Sequence, residues 1–296
     1  MDCVIFCFSG TGNTRWVSER LSHHLKKEGC AVRMIDIEDI LVRDPHHIST
    51  LEETIDSADH IGVAFPVHAF NAPSIVFDLI ERLPDCSASP KPTFLLRTSG
   101  DPFINGGTTR FVRDRLRRKG YDVRLERLFL MPSNIIMPFL PPLIKQLYRL
   151  ADVHSIDFAH QVVEDEVYLH KDSKAVDIFS RIFSKVESWG ARVAGKHFRI
   201  TDTCTSCGIC ADDCPTGNVT INDDRPSFQD RCILCMRCIY RCPSGSLVNP
   251  YLGFFILKDG YDNSPILSDE GISDEYLTSG TRGYYKRYAR FFGMVR

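Results

Sequence analysis

No stretch of this chain approaches the roughly 18 to 20 consecutive apolar residues that cross a bilayer; the nearest, Leu252 to Leu257, is far shorter. The start, Met1-Asp2-Cys3, carries neither the basic region nor the cleavage site of a secretory leader. Neither sign of charge is in excess: 36 Lys and Arg against 38 Asp and Glu give a formal net charge of −2, which argues against a chain-wide grip on nucleic acid or another polyanion and leaves only local patches. The Gly-x-Gly-x-x-Gly dinucleotide fingerprint and the Gly-Lys-Ser/Thr phosphate loop are both missing, so direct use of a nicotinamide cofactor has no support. These absences predict a cytoplasmic protein with no membrane span and no nucleic-acid partner, in a reducing and anoxic setting.

Cysteine is what the chain has in plenty. Of its twelve cysteines, eight fall in one run: Cys204, Cys207, Cys210 and Cys214-Pro215, then the same spacings again 28 residues on as Cys232, Cys235, Cys238 and Cys242-Pro243. Three thiolates held two residues apart can wrap three corners of an iron-sulfur cube, and the fourth corner must come from elsewhere. A third Cys at that spacing plus a Cys-Pro is superfluous for one tetrahedral zinc ion, and disulfides need an oxidising compartment that nothing here suggests. Thr216-Gly217-Asn218-Val219 answers Ser244-Gly245-Ser246-Leu247, which predicts a duplicated loop, turn and strand related by a pseudo-twofold axis. The remaining Cys3, Cys7, Cys30 and Cys86 read as small buried hydrophobes. Cys3 and Cys7 have the spacing of the first two ligands of a radical-SAM triad, but the third position is Gly10.

The repeated segment resembles two-cluster bacterial ferredoxins, in which the Cys before Pro ligates the other cluster. The resemblance implies one 4Fe-4S cluster on Cys204, Cys207, Cys210 and Cys242, and another on Cys232, Cys235, Cys238 and Cys214.

A chain of 296 residues, 43% hydrophobic and 25% charged, is soluble-protein-like in composition and long enough for two domains. Val4-Ile5-Phe6-Cys7-Phe8 is an apolar run without alternation, the mark of a strand buried on both faces of a parallel sheet. Ser9-Gly10-Thr11-Gly12-Asn13-Thr14 follows, then Trp16, Val17, Leu21 and Leu25 at helical spacing up to Gly29. Such a loop offers backbone N–H groups and hydroxyls at the positive end of a helix dipole, a site for a phosphate; a bare strand-turn-helix is the plain alternative. Further strands are predicted at Ala31 to Ile37, Ile61 to Phe65, Thr93 to Leu96 and Tyr121 to Met131, and a helix at Pro73 to Leu83. Strand ends on one edge of a parallel sheet converge on one crevice, which would gather Ser9 to Thr14 with Pro66, Val67, His68, Ala69, Phe70 and Asn71, and with Thr98, Ser99, Gly100, Asp101 and Phe103.

Ser9, Thr11, Gly12 and Thr14 resemble the phosphate loop of flavodoxins. The resemblance implies FMN, with its phosphate on Ser9 to Thr14, the ring between the other two loops, and a sheet of order 2-1-3-4-5. Flavodoxins often stack a Tyr or Trp on the flavin, whereas the nearest aromatics here are Phe70 and Phe103. His68 would donate to a flavin carbonyl or stand in solvent.

A helix from Gly106 to Lys119 carries Arg110, Arg113, Arg115, Arg117, Arg118 and Lys119 against Asp114, a solvated face or a dock for an acidic partner. Helical stretches near Leu143 to Leu150 and Ala175 to Ala194, the second with Ile178, Ile182, Val186, Trp189 and Val193 on one side, would close the fold and bridge to the clusters. In the tail, Thr281 to Arg296 interleaves cations with Tyr284, Tyr285, Tyr288, Phe291 and Phe292; packing on the chain's own domains is favoured over a protein partner or stacked bases.

The whole chain resembles the flavodoxin-ferredoxin fusion proteins of anaerobes. The fold class expected is α/β, a doubly wound parallel five-stranded sheet, plus a small α+β ferredoxin domain. Residues 1–150 would form the FMN domain, 151–197 a helical connector packing on it, 198–250 the ferredoxin domain and 251–296 an extension. Two functions stay open, an electron carrier between FMN, two clusters and a protein redox donor or acceptor, and a flavin-dependent reductase of a small acceptor fed through the clusters. A homodimer is also left open.

Overall fold

The computed structural model describes residues 1–43, 50–68, 70–102, 107–170 and 174–295. Ala69, Phe103 and Gly106, named above, lie outside the described residues. Five strands form the main sheet: β1 (Asp2–Cys7), β2 (Ala31–Asp36), β3 (His60–Pro66), β4 (Lys91–Ser99) and β5 (Tyr121–Leu130). Their order is β2-β1-β3-β4-β5 and every pairing is parallel, the flavodoxin-like doubly wound arrangement.

Parallel pairing needs crossover helices on both faces, and β1 accordingly has no solvent side. Ile5 and Cys7 share one core with Val17, Leu21 and Leu25 of α1 (Asn13–Lys27). Val4, Phe6 and Phe8 share the other core with Ile75, Val76 and Leu79 of α3 (Ser74–Arg82) and Val112 and Leu116 of α4 (Gly107–Arg118). A short helix α2 (Leu51–Asp56) precedes β3.

α5 (Pro141–Val163) is three times the length expected from Leu143 to Leu150. It begins on Pro141 and Pro142, where a missing N–H costs nothing. Its second half carries Asp152, His154 and Asp157, which hide the apolar period, yet Leu143, Leu147, Ala151, Phe158 and Val162 are all buried. Asp152 is matched by α1: Arg20 Nε lies 2.6 Å and His24 Nε2 2.9 Å from its Oδ1.

α6 (Lys174–Lys196) departs from the expected orientation. Ile182 and Trp189 face solvent, Trp189 at 69% exposure, although the sequence pattern had that side closing the fold. The opposite, small-residue side turns inward because of close approach: a Cβ added to Gly195 would lie 2.2 Å from Cys232 Cβ.

Residues 198–250 hold two half-repeats. α7 (Ile209–Asp212) and α8 (Arg237–Tyr240) are 28 residues apart. β7 (Val219–Asn222) pairs antiparallel with β8 (Arg225–Phe228), and β6 (Arg199–Ile200) with β9 (Leu247–Val248). Left-handed backbone recurs in register at Ser206 and Leu234, Gly208 and Met236, and Gly217 and Gly245. The second repeat thus puts bulky residues where L side chains are disfavoured, and Leu234 among them reaches the loops of the main sheet. Finally α9 (Ser264–Ser268) and α10 (Lys286–Phe291) lie in the tail, which folds back: Tyr288 is fully buried among the α5-side core.

Candidate flavin and cluster sites

Three loops at the carboxyl ends of β1, β3 and β4 surround one cavity of about 980 Å³. Ser9, Gly10, Thr11, Asn13 and Thr14 line it from the first loop, Pro66, Val67, His68 and Phe70 from the second, and Thr98, Ser99, Gly100 and Asp101 from the third. Gly12 and Asn71 are not among the lining residues. Gly12 adopts φ 104 as it starts α1, a conformation only glycine takes without strain. The Thr14 and Thr98 hydroxyls meet at 2.7 Å, joining the first and third loops. Asn71 closes the second loop by a reciprocal backbone pair with His68, and this holds Phe70 at φ 59, a strained setting that tends to mark functional loops. The Ser9 hydroxyl is buried with no partner among the described residues, as expected of a donor kept for a phosphate oxygen.

The loop after β5 also belongs to the cavity, which the sequence reading missed. Pro132, Ser133, Asn134 and Ile135 line it. Asn13 Nδ2 donates to Pro132 O at 2.8 Å, and Asn134 Nδ2 to Thr11 Oγ1 at 2.9 Å. The rule that gathered the other loops, carboxyl strand ends on one edge, applies equally to Met131-Pro132-Ser133-Asn134. The remaining wall is supplied by Phe183 and Val186 of α6, Leu252 and Phe255, and at the far end Tyr284 and Arg287 of the tail. Arg287 Nη2 pairs with Asp101 Oδ2 at 2.6 Å, and its guanidinium lies 3.8 Å over the Tyr284 ring.

His68 faces the second half-repeat. Burial pushes its imidazole down to about 4, against the opposing pull of the Ile233 carbonyl. The ring is therefore neutral, and Nδ1 donates to Ile233 O at 3.2 Å. With that N–H committed, Nε2 is an acceptor, so the ring has no second N–H for a flavin carbonyl.

The eight clustered cysteines divide into two hollows. One is lined by Cys232, Cys235, Cys238 and Cys214, the other by Cys204, Cys207, Cys210 and Cys242. Each Cys-Pro cysteine thus stands with the run of the other half-repeat. Among the described residues no group of three or more His, Cys, Asp or Glu is arranged to hold a metal ion. Four soft sulfurs with no carboxylate or imidazole at each hollow match the ligand set of an iron-sulfur cube.

Backbone N–H groups point at the sulfurs in matching pairs. Ser206 N donates to Cys204 Sγ and Leu234 N to Cys232 Sγ, both at 3.4 Å. Asn218 N donates to Cys214 Sγ at 3.1 Å and Ser246 N to Cys242 Sγ at 3.4 Å. Such bonds stabilise negative sulfur and tune a cluster. Burial pushes the Cys232 thiol up to about 12 and Cys235 to about 11, so a metal would displace their protons on binding.

Arg237, between Cys235 and Cys238, ties this half-repeat to the loop of Ser9 and Gly10. It is 8% exposed. Its guanidinium donates to Ser9 O at 2.5 Å, Gly10 O at 3.1 Å, Asp213 O at 3.0 Å and Glu38 Oε1 at 2.7 Å. Binding the Ser9 and Gly10 carbonyls from behind fixes the peptide planes of the loop.

The chain is similar in structure to known flavin proteins. A flavodoxin from the domain Archaea is 17% identical, with a TM-score of 0.38 over 55% of this chain and 99% of that one. An FMN-dependent NADH-azoreductase from Bacillus anthracis, solved with FMN, is 11% identical with a TM-score of 0.41, over 55% and 99%. An NAD(P)H:quinone oxidoreductase from Methanothermobacter marburgensis is 13% identical with a TM-score of 0.42, over 54% and 98%. No family model and no curated protein matches. At such identities and TM-scores these likenesses carry no argument about what the chain binds, and its own residues must supply one.

Proposed function

We propose that this is a flavo-iron-sulfur protein that moves electrons between FMN and two 4Fe-4S clusters and on to a protein redox partner. FMN occupies the cavity of the three loops, with its phosphate at Ser9 to Thr14. One cube is held by Cys232, Cys235, Cys238 and Cys214, the other by Cys204, Cys207, Cys210 and Cys242. The observation that carries the reading is the partition of the eight cysteines into two four-sulfur hollows, one of which shares Leu234 with the cavity.

When bound, the flavin supplies one- or two-electron exchange and each cube one-electron exchange. The protein's own residues do the rest. Thr11, Thr14 and the unpartnered Ser9 hydroxyl offer contacts to phosphate, helped by the amino end of α1. Phe183 and Ala191 of α6, with Leu252, wall the cavity, and N–H donors hold the sulfurs.

The second reading, reduction of a small acceptor in the same cavity, is favoured by one feature. The cavity runs beyond the three loops to Tyr284 and Arg287, where a phenol hydroxyl and a guanidinium stand at the end of an apolar chamber. Anaerobic purification followed by flavin, iron and sulfide analysis tests the common ground. One FMN and two cubes per chain are expected; a single metal ion, or no flavin, would refute it. Turnover of small acceptors by the loaded protein, without an added carrier, would move the choice to the reductase.

A further inference from the structure

The two cluster hollows are not equivalent with respect to the flavin cavity. Four contacts join the cavity to the hollow of Cys232, Cys235, Cys238 and Cys214. Leu234 lines both. His68, on the cavity wall, donates to the carbonyl of Ile233, which lines the hollow. A Cβ on Gly10 would lie 2.6 Å from the Cys235 carbonyl oxygen, so the phosphate loop and the cysteine loop touch backbone to backbone. Arg237 then clamps Ser9 and Gly10 from the same loop.

Among the described residues the other hollow has no lining residue in common with the cavity. Its Cys207, with Thr205 and Ser206, is exposed. The two hollows meet each other: Cys210, Val219 and Leu247 form a small apolar cluster on which Cys214, Cys238 and Cys242 pack, so sulfurs of both sets share it.

Tunnelling falls off exponentially with separation, so contact order becomes electron order. We infer that the cube on Cys232, Cys235, Cys238 and Cys214 is the one that exchanges electrons directly with the flavin. The cube on Cys204, Cys207, Cys210 and Cys242 is the outer port, where a one-electron carrier protein docks over Thr205 to Cys207. This rests on the reading that FMN and two cubes occupy these sites. In the reducing direction a carrier gives up one electron and is itself oxidised. The outer cube takes that electron and passes it to the inner cube, and each returns to its starting state as the electron moves on. Two such passages, with two protons drawn from water, complete the two-electron reduction of FMN.

The test uses the loaded full chain under anaerobic conditions, with Cys207→Ser to remove the outer cube and Cys232→Ser to remove the inner one. After flash reduction of FMN, the inner cube of Cys207→Ser should still be reduced at a rate independent of protein concentration. In Cys232→Ser that fast phase should be lost, and the remaining cube should be reduced only at a rate that rises with concentration. Reduced bacterial ferredoxin, as the probe carrier, should reduce FMN in the intact protein and lose that ability in Cys207→Ser. If Cys232→Ser does not fold, rapid-freeze EPR of the intact protein decides: the signal kept in Cys207→Ser must appear first. The reverse order, or a concentration-independent fast phase in Cys232→Ser, overturns the route. A purified protein without flavin or without both cubes overturns the reading beneath it as well, and cofactor analysis separates the two failures.

Discussion

Arg237→Met is the perturbation that most directly asks whether the two halves of the molecule are one device. The guanidinium makes four hydrogen bonds, three to backbone carbonyls and one to Glu38 Oε1 at 2.7 Å. Glu38 is itself 1% exposed, and its Oε2 has no partner among the described residues. The nearest other cation is Arg43, whose Nη1 is 3.9 Å from Oε1. Removing Arg237 would leave a buried carboxylate nearly alone, a change that costs about 3 to 5 kcal/mol. It would also free the Ser9 and Gly10 carbonyls, so part of that loss should appear as weaker FMN binding, about tenfold for each 1.4 kcal/mol. Flavin affinity is read by fluorescence titration of deflavinated protein that keeps its clusters, and stability by urea titration followed through cluster absorbance. The double variant Arg237→Met with Glu38→Leu should recover much of the stability, because an apolar pair of similar volume often replaces a buried ion pair without loss. It should not recover the flavin affinity, since the loop carbonyls remain unbound. A single variant within about 0.5 kcal/mol of the parent, or a double variant no more stable than the single, would refute the reasoning.

Gly10→Ala and Gly12→Ala should fail differently. The Gly10 Cβ meets the Cys235 backbone oxygen at 2.6 Å, so overpacking of about 1 to 3 kcal/mol should weaken both flavin and inner cube, while Gly12, with open space around it and φ 104, should lose about 1 to 2 kcal/mol of flavin binding alone; equal damage to the inner cube in both variants would contradict this. Cys214→Ala should strip iron from the site of Cys232, Cys235 and Cys238, read by EPR and iron analysis, and loss of the Cys204 site alone would overturn the exchanged ligands. His68 is held neutral near pKa 4 in the folded chain against 6.5 unfolded, so the unfolded chain binds the extra proton between those values and stability falls as pH drops through the window, by about 2 to 3 kcal/mol after allowance for partial exposure. Urea midpoints of the parent and His68→Gln measured from pH 7 to 4.5 should diverge, and parallel slopes would count against it.

The parts of the molecule that were readable from sequence share one property: each is a local pattern with a local cause. The apolar run of β1, the glycine that starts α1 and the three loops after β1, β3 and β4 follow from periodicity and from one rule about parallel sheets. The two cysteine runs announced their spacing in plain view. α5 was truncated because Asp152, His154 and Asp157 interrupt its apolar period, and nothing local says that Arg20 and His24 on α1 receive Asp152. α6 was turned the wrong way for a related cause. Its apolar side is the more conspicuous in sequence, but the side with Ala191 and Gly195 faces inward, because only small residues allow the approach to Cys232.

Arg237 shows why the junction itself was not legible. In sequence it is one Arg inside a cysteine repeat, where the first half-repeat has Ile209 at the equivalent position. The departure from symmetry is the signal. A repeat that needed only to hold a cube would have no use for a buried guanidinium on one side and none on the other. The same holds for Leu234 and Met236, which occupy left-handed backbone where the first repeat has Ser206 and Gly208. Bulk in that conformation is unfavourable, and it is found on the half that lies against the phosphate loop. Where two halves of a duplicated segment differ at positions that the shared chemistry does not require, the difference points to what only one half touches. Here that is the flavin cavity, which is why the inner cube, rather than the pair, is the one assigned to it.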